Sequence, residues 1–190
     1  MVRRTDTRRR MLESAAELFQ TQGYHATGLT QLVAAGGAPK GSLYFHFPGG
    51  KEQLAAEAVQ LSSSRVADAL TAAVTAAPDP ASAISAVVDA LATSLISSDF
   101  QRGCPLATVA LEADSEPLRS ACETGYADWH TRLVSYFTDQ GLPSDRATSL
   151  ATVVLASIEG ALLFAKTRRD VTPLRDIAAH LHTTVSREFS

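Results

Sequence analysis

Cysteine is scarce in this chain of 190 residues, which carries only Cys104 and Cys122. Two thiols are too few for the disulfide framework of a secreted scaffold, and they are read as small buried hydrophobes. No spacing of His, Cys and Asp resembles a zinc site, so no metal is expected. Long apolar runs are also missing. The most apolar stretch, Leu150 to Ala165, is interrupted by Glu159 and falls short of the ~18 residues expected of a membrane span. The arginine-rich beginning is followed by Glu13, Glu17 and Gln20, which break the apolar segment that a secretory leader would need. A soluble, cytoplasmic protein with reduced thiols and no membrane partner is predicted. Catalytic equipment is lacking as well. No nucleophile stands at recognisable spacing from a base. The stretch Pro48-Gly49-Gly50-Lys51 is too short for a phosphate-binding loop and follows no strand. The chain is read as no enzyme, and no cofactor is expected.

Hydrophobic residues, at 45%, are plentiful enough for a real core, and their spacing is helical nearly throughout. About nine helical segments can be traced and no convincing strand, which predicts an all-α fold. The charge is unevenly spread. The net value is -3, yet residues 1–60 hold seven Lys and Arg against five Asp and Glu, and residues 61–190 hold ten against fifteen. A slightly basic N-terminal part therefore precedes an acidic remainder. Five arginines lie within the first ten residues: Arg3, Arg4, Arg8, Arg9 and Arg10. Either they form a solvated terminus, or they form an arm that touches DNA backbone or minor groove.

The first segment, about Thr7 to Gln22, has Leu12, Ala15, Ala16 and Phe19 at i, i+3, i+4 and i+7, and Gly23 ends it. Thr27 is read as the N-cap of a second helix reaching Ala35, with Leu29, Leu32 and Val33 inward. Gly36-Gly37 is expected to supply positive φ and a close helix crossing. A third short helix then opens on Pro39, a residue tolerated at the first helical position. Leu43 and Phe47 anchor it, which leaves Lys40, Gly41, Ser42, Tyr44 and His46 outward, where they can reach phosphates or base edges. Each outward group also has a plain reading: Tyr44 as core packing, His46 and Lys51 as solvated surface. A fourth helix runs unbroken from about Gly50 to Ala77, about 40 Å at 1.5 Å per residue. The domain junction is placed there, with a helix-turn-helix domain over 1–50 and a second domain over 51–190.

Five further helices are predicted, over about 81–97, 105–113, 117–139, 144–166 and 173–187. Cys104, Leu106, Val109, Tyr126, Trp129, His130 and Phe164 either line an apolar effector pocket or form ordinary core. The last two helices carry broad apolar stripes. Leu150, Val154, Ile158 and Leu162 lie on one; Leu174, Ile177 and Leu181 lie on the other. These stripes pack either within one chain or across a twofold axis as a four-helix bundle.

The segment Gly37-Ala38-Pro39-Lys40-Gly41-Ser42-Leu43-Tyr44-Phe45-His46-Phe47, followed by Lys51-Glu52-Gln53-Leu54, resembles the helix-turn-helix of TetR-family transcriptional regulators. With Gly103-Cys104-Pro105-Leu106-Ala107, it is similar to a subgroup that includes the lincomycin-resistance and flavonoid-responsive repressors. The pattern departs from the family at Gly36, where alanine is common, and at Pro39, where a capping serine is common. The resemblance implies an all-α homodimer whose N-terminal three helices read a palindromic double-stranded DNA operator. It implies that Lys40 and Ser42 approach bases or phosphates, that Tyr44, His46 and Lys51 hold the backbone, and that Thr27, Thr30 and Gln31 lie near phosphates. It also implies a small hydrophobic effector in the C-terminal domain and a dimer through the last two helices. The expected function is a DNA-binding regulator, a repressor released by its effector. Two alternatives stand beside it: a small-molecule-binding helical protein without a specific operator, and a transcriptional activator.

Overall fold

The computed structural model describes residues 2–39 and 41–190, with side chains from Asp6 onward; Lys40 and the side chains of Arg3 and Arg4 lie outside the described residues. Among the described residues there are nine helices and no strand. They are α1 (Val2–Gln22), α2 (Leu29–Ala35), α3 (Ser42–His46), α4 (Gly50–Ala76), α5 (Pro80–Ser97), α6 (Pro105–Ala110), α7 (Glu116–Asp139), α8 (Ser144–Arg168) and α9 (Thr172–Glu188). The chain divides into two compact units. Met1–Arg65 joins Cys104–Tyr126 in the first, and Val66–Gly103 joins Ala127–Ser190 in the second. Both α4 and α7 contribute to each unit, and α6 belongs wholly with the N-terminal helices.

In the first unit α1 packs on α2 and α6. Its buried side chains are Met11, Ala15, Ala16 and Phe19, so the inward stripe begins at Met11 rather than at Leu12, which is half-buried. Leu32, Val33, Leu43, Phe47, Leu54 and Ala58 complete this core. Leu29, expected inside, is 39% exposed because α2 starts only at that residue and its first turn faces out. The two glycines of the turn act differently from one another. Gly37 takes φ +60, whereas Gly36 has φ -74 and serves as the point of close approach. A Cβ on Gly36 would stand 2.6 Å from Cγ of Met11.

In the second unit α5, α8 and α9 pack on one another. Asp79 caps α5 by accepting the Ser82 N–H at 2.8 Å, and Pro80 occupies the first turn, where its missing N–H has no partner to lose. Ile84, Val88, Leu95, Val154, Ile158, Leu174, Leu181 and Val185 are buried in this core. The segment after α5 places Asp99 (φ 50) and Phe100 (φ 59) in the left-handed region. The end of α8 holds them there: Arg169 donates to Asp99 Oδ1 at 2.5 Å and Lys166 to the Gln101 carbonyl at 2.8 Å. By length and composition α5 and α8 are each apolar enough to cross a membrane. The α8 stretch, expected to fall short of a membrane span, passes on length because the helix extends from Ser144 to Arg168. Much of each helix is already covered inside the unit, as the core helices of a folded domain are.

Candidate nucleic-acid interface and ligand cavity

The turn before α2 is built from Gly23 at φ +85 and from Thr27, which is fully buried. Thr27 donates its hydroxyl to the Gly23 carbonyl at 2.7 Å. That corrects two expectations. Thr27 neither caps α2, whose N-cap is Gly28, nor stands at the phosphate edge, because its only polar side-chain atom is turned inward. Thr30 and Gln31 are exposed, and Gln31 donates to Gln22 Oε1 at 3.0 Å.

The third helix begins later than expected. Pro39 precedes it in a turn closed by Ser42 N–H to the Pro39 carbonyl at 3.1 Å, and Gly41 at φ +91 takes the N-cap position. A side chain with a Cβ is strained at that φ, so Gly41 sets the direction of α3 through its backbone. Ser42 is half-buried and donates its hydroxyl back to the Pro39 carbonyl at 2.8 Å, which stiffens the turn. Leu43 and Phe47 point inward as anticipated, leaving Tyr44 60% and Phe45 59% exposed. Tyr44 is therefore not a core residue; its ring lies along the backbone of Gly50 at the start of α4. His46 is half-buried, with its ring edge-on to Phe45 at 5.1 Å. Phe45 was missed in the sequence, although its offset of two from both Leu43 and Phe47 places it on the opposite face of a helix.

Lys51 is half-buried with its ammonium 4.2 Å from the Tyr24 ring centroid. Burial pushes its pKa down, and the nearby Glu112 carboxylate opposes that shift. The arginines whose side chains are described have partners within the unit. Arg8 binds Glu57 at 2.6 Å and stacks 4.6 Å from the Phe47 ring. Arg9 pairs with Asp6 and Glu13, each at 3.3 Å, and Arg10 pairs with Asp6.

The residues expected around an effector are divided between the units. Cys104, Leu106 and Val109 are buried in the first, with Tyr126 half-buried beside them; the Cys104 thiol lies 3.8 Å from the Tyr126 hydroxyl. Cys122 is buried too, and desolvation pushes its thiol pKa up. In the second unit Trp129 is 3% exposed. His130 is half-buried, with Nε2 3.0 Å from the Thr152 hydroxyl. Phe164 is 61% exposed and lines no described cavity. The second unit holds a cavity of about 250 Å³ lined by Leu70, Thr71, Val74, Trp129, Leu133 and Tyr136, with Arg132, Ser135 and Asp139. Its accessible wall is mainly apolar, and Thr71, Arg132, Ser135 and Asp139 are exposed around its open side. Of this lining only Trp129 was expected at an effector pocket; Leu133 was expected on the same apolar stripe. A periodicity argument cannot tell which part of a buried stripe meets an empty space. Among the described residues no group of three or more His, Cys, Asp or Glu could hold a metal ion.

The predicted dimer stripes are also placed differently. Leu150, Val154, Ile158, Leu162, Leu174 and Leu181 are at most 8% exposed, and Ile177 is half-buried. The first six are thus largely covered by packing within one chain, whereas Ile177 keeps part of its surface exposed. The outward apolar residues of α8 are Val153, Leu163 and Phe164.

Residues 11–58 match the tetR family of bacterial regulatory proteins. Residues 80–180 match the C-terminal domain of LmrA/YxaF-like transcriptional regulators, in agreement with the expected subgroup. The HTH-type transcriptional regulator LmrA of Bacillus subtilis is 39% identical over 96% of this chain and 98% of its own length. YxaF, an uncharacterized HTH-type transcriptional regulator of the same organism, is 36% identical over 99% of this chain and all of its own length. Among solved structures, a TetR transcriptional regulator from Chloroflexus aurantiacus is 28% identical with a TM-score of 0.80, over 99% of this chain and 98% of that one.

Proposed function

The chain belongs to the TetR family of DNA-binding transcriptional regulators, and from that premise we propose that it is a homodimeric repressor released from a palindromic operator by a small hydrophobic effector. Residues 1–50 are its reading head; residues 51–190 bind the effector and form the dimer. The observation that carries the reading is α3. A short helix aimed by Gly41 holds two adjacent large aromatic side chains exposed, and the exposed Thr30 and Gln31 of α2 precede it in the chain.

Tyr44, exposed and with its ring against Gly50, donates its hydroxyl to a phosphate. Thr30, Gln31, Ser42 and His46 flank it, and Lys40, which precedes α3 in the sequence, approaches a base or phosphate. Lys51 acts by holding Tyr24 in place and adding positive potential. The effector occupies the cavity beside Trp129, where α4 forms one wall through Leu70, Thr71 and Val74. Effector binding there shifts α4 and moves the two heads off the separation of roughly 34–36 Å that successive major grooves require.

The dimer forms through the outward face of α8, on which Val153, Ser157, Gly160 and Phe164 recur at helical spacing. Gly160 supports this. It is exposed in mid-helix, a Cβ there would meet nothing within 4 Å, and glycine at such a position costs about 0.5–1 kcal/mol relative to alanine. Close approach of a second α8 is a reason to keep it. The protein acts where its DNA is, in the cytoplasm.

The test is binding of the purified protein to DNA upstream of its own gene, at stated salt, against an unrelated duplex. Selective binding is expected. Binding that is salt-sensitive but indifferent to sequence would overturn the operator. Because Trp129 is the chain's single tryptophan, compounds that enter the cavity should change the intrinsic fluorescence as they release the DNA. Release without any fluorescence change would place the effector elsewhere.

A further inference from the structure

The link between α6 and the reading head runs through one carboxylate. Glu112, just past α6, accepts the His25 backbone N–H at 2.7 Å. Its side chain fills the space left open by Gly23, where any Cβ would collide with the carboxylate and would also be strained by φ +85. The neighbouring Asp114 lies 4.0 Å from His25 Nε2, and Lys51 is close enough for the Glu112 charge to act on it. Residues 23–25 are thus grasped from the α6 side. The same turn is held internally by buried Thr27, and it delivers the chain into α2.

The far end of α6 is equally confined. Cys104 caps it by accepting the Ala107 N–H at 3.4 Å, and Pro105 stiffens its first turn. The methyl groups of Leu106 lie 2.9 Å from where a Cβ of Gly125 on α7 would be, with the Ser63 hydroxyl of α4 at 2.8 Å from the same point. A Cβ at that crossing would displace the Ser63 and Leu106 side chains. A six-residue helix wedged between α4 and α7 at one end and hooked to the α1–α2 turn at the other is a short strut.

We infer that Glu112 is a positioning residue for operator binding: it fixes the α1–α2 turn, and through it the angle of α2 and α3, to the position of α6. The inference rests on the operator-reading function proposed above and adds a second route to it besides α4. Glu112 touches no DNA in this reading. Its effect on DNA therefore has the opposite sign from its charge, because removing an acid near a DNA-binding face by itself favours binding.

The experiment uses the full chain. Wild-type protein first selects a duplex from a random library at about 0.15 M salt. Glu112→Ala is expected to bind that duplex about tenfold more weakly, the scale of a modest coupling between sites. Glu112→Gln keeps the shape and an acceptor for the His25 N–H, and should recover most of the affinity. Binding to random duplexes should be unchanged or tighter, and the slope of affinity against salt unchanged, since no phosphate contact is lost. Amide exchange at His25 should accelerate in Glu112→Ala while α5, α8 and α9 stay protected. Equal or tighter binding of the selected duplex by Glu112→Ala overturns the inference, as does unaltered exchange at His25. If the wild type selects no sequence at all, the operator-reading function itself has failed, a result visible without any variant, and the positioning role fails with it.

Discussion

Replacing Tyr44 by alanine separates two roles that the ring combines. With 60% of the residue exposed, about two-fifths is covered, and its ring lies against Gly50. A fully buried aromatic covers on the order of 150–250 Å², so the covered part is roughly 60–100 Å². At ~25 cal/mol per Å² that contributes about 1.5–2.5 kcal/mol, and less against a realistic unfolded chain. The melting temperature should fall by about 2–8 °C, with the protein still folded at 25 °C. The loss on DNA is larger. A hydroxyl donating to a phosphate is worth ~1.5 kcal/mol or more. Two heads then contribute about 3 kcal/mol, on the order of 100-fold in affinity. Tyr44→Phe keeps the ring and its packing but removes the donor. It should lose a comparable share of affinity while melting within a degree or so of wild type. Fluorescence anisotropy on the upstream duplex and a thermal melt read both quantities. If both variants bind as wild type does, Tyr44 is not a backbone contact, and its exposure needs another explanation.

Three further outcomes follow from the packing. Phe164→Glu should convert the proposed dimer to a folded monomer in analytical ultracentrifugation, since a charge desolvated on α8 would have no partner there; a persisting dimer would move the interface off this face. Gly36→Ala has no backbone strain to overcome at φ -74. Its Cβ must nevertheless push Met11 away, so it should destabilise the protein by about 1–3 kcal/mol in denaturant titration, and an unchanged midpoint would refute the close crossing. Asp79 has its pKa held below the ordinary carboxylate value, first by the Ser82 backbone N–H and then by the Ser82 hydroxyl. Its stabilising effect is thus present above the unfolded pKa of about 3.9 and lost as pH falls through the lower folded value. Asp79→Ala should melt earlier than wild type at pH 7, and the gap should close below about pH 4; a gap constant with pH would mean the cap is not the cause.

The helices and their order were legible in the sequence because both depend on local information. Apolar residues at 3.6 spacing, prolines at helix starts and glycines after helix ends act over a few residues, and all nine segments appear where they were expected within a few positions. On α3 the same local rule applies: Leu43 and Phe47 inward, four residues apart, leave Phe45 exposed on the opposite face and Tyr44 exposed at its flank. Periodicity identifies an apolar stripe; it does not say what covers the stripe. Leu150, Val154, Ile158 and Leu162 look the same whether α9 or a second chain lies over them, and only the packed structure assigns them to the interior and leaves Val153, Leu163 and Phe164 outside. Thr27 carries a good capping side chain, but its hydroxyl goes to Gly23 because Gly28, not Thr27, stands where α2 begins. The cavity beside Trp129 and the hold of Glu112 on His25, 87 positions earlier in the chain, depend on which distant segments meet. Contacts of that range are chosen by the summed packing of the whole domain, and no short window of sequence carries that sum.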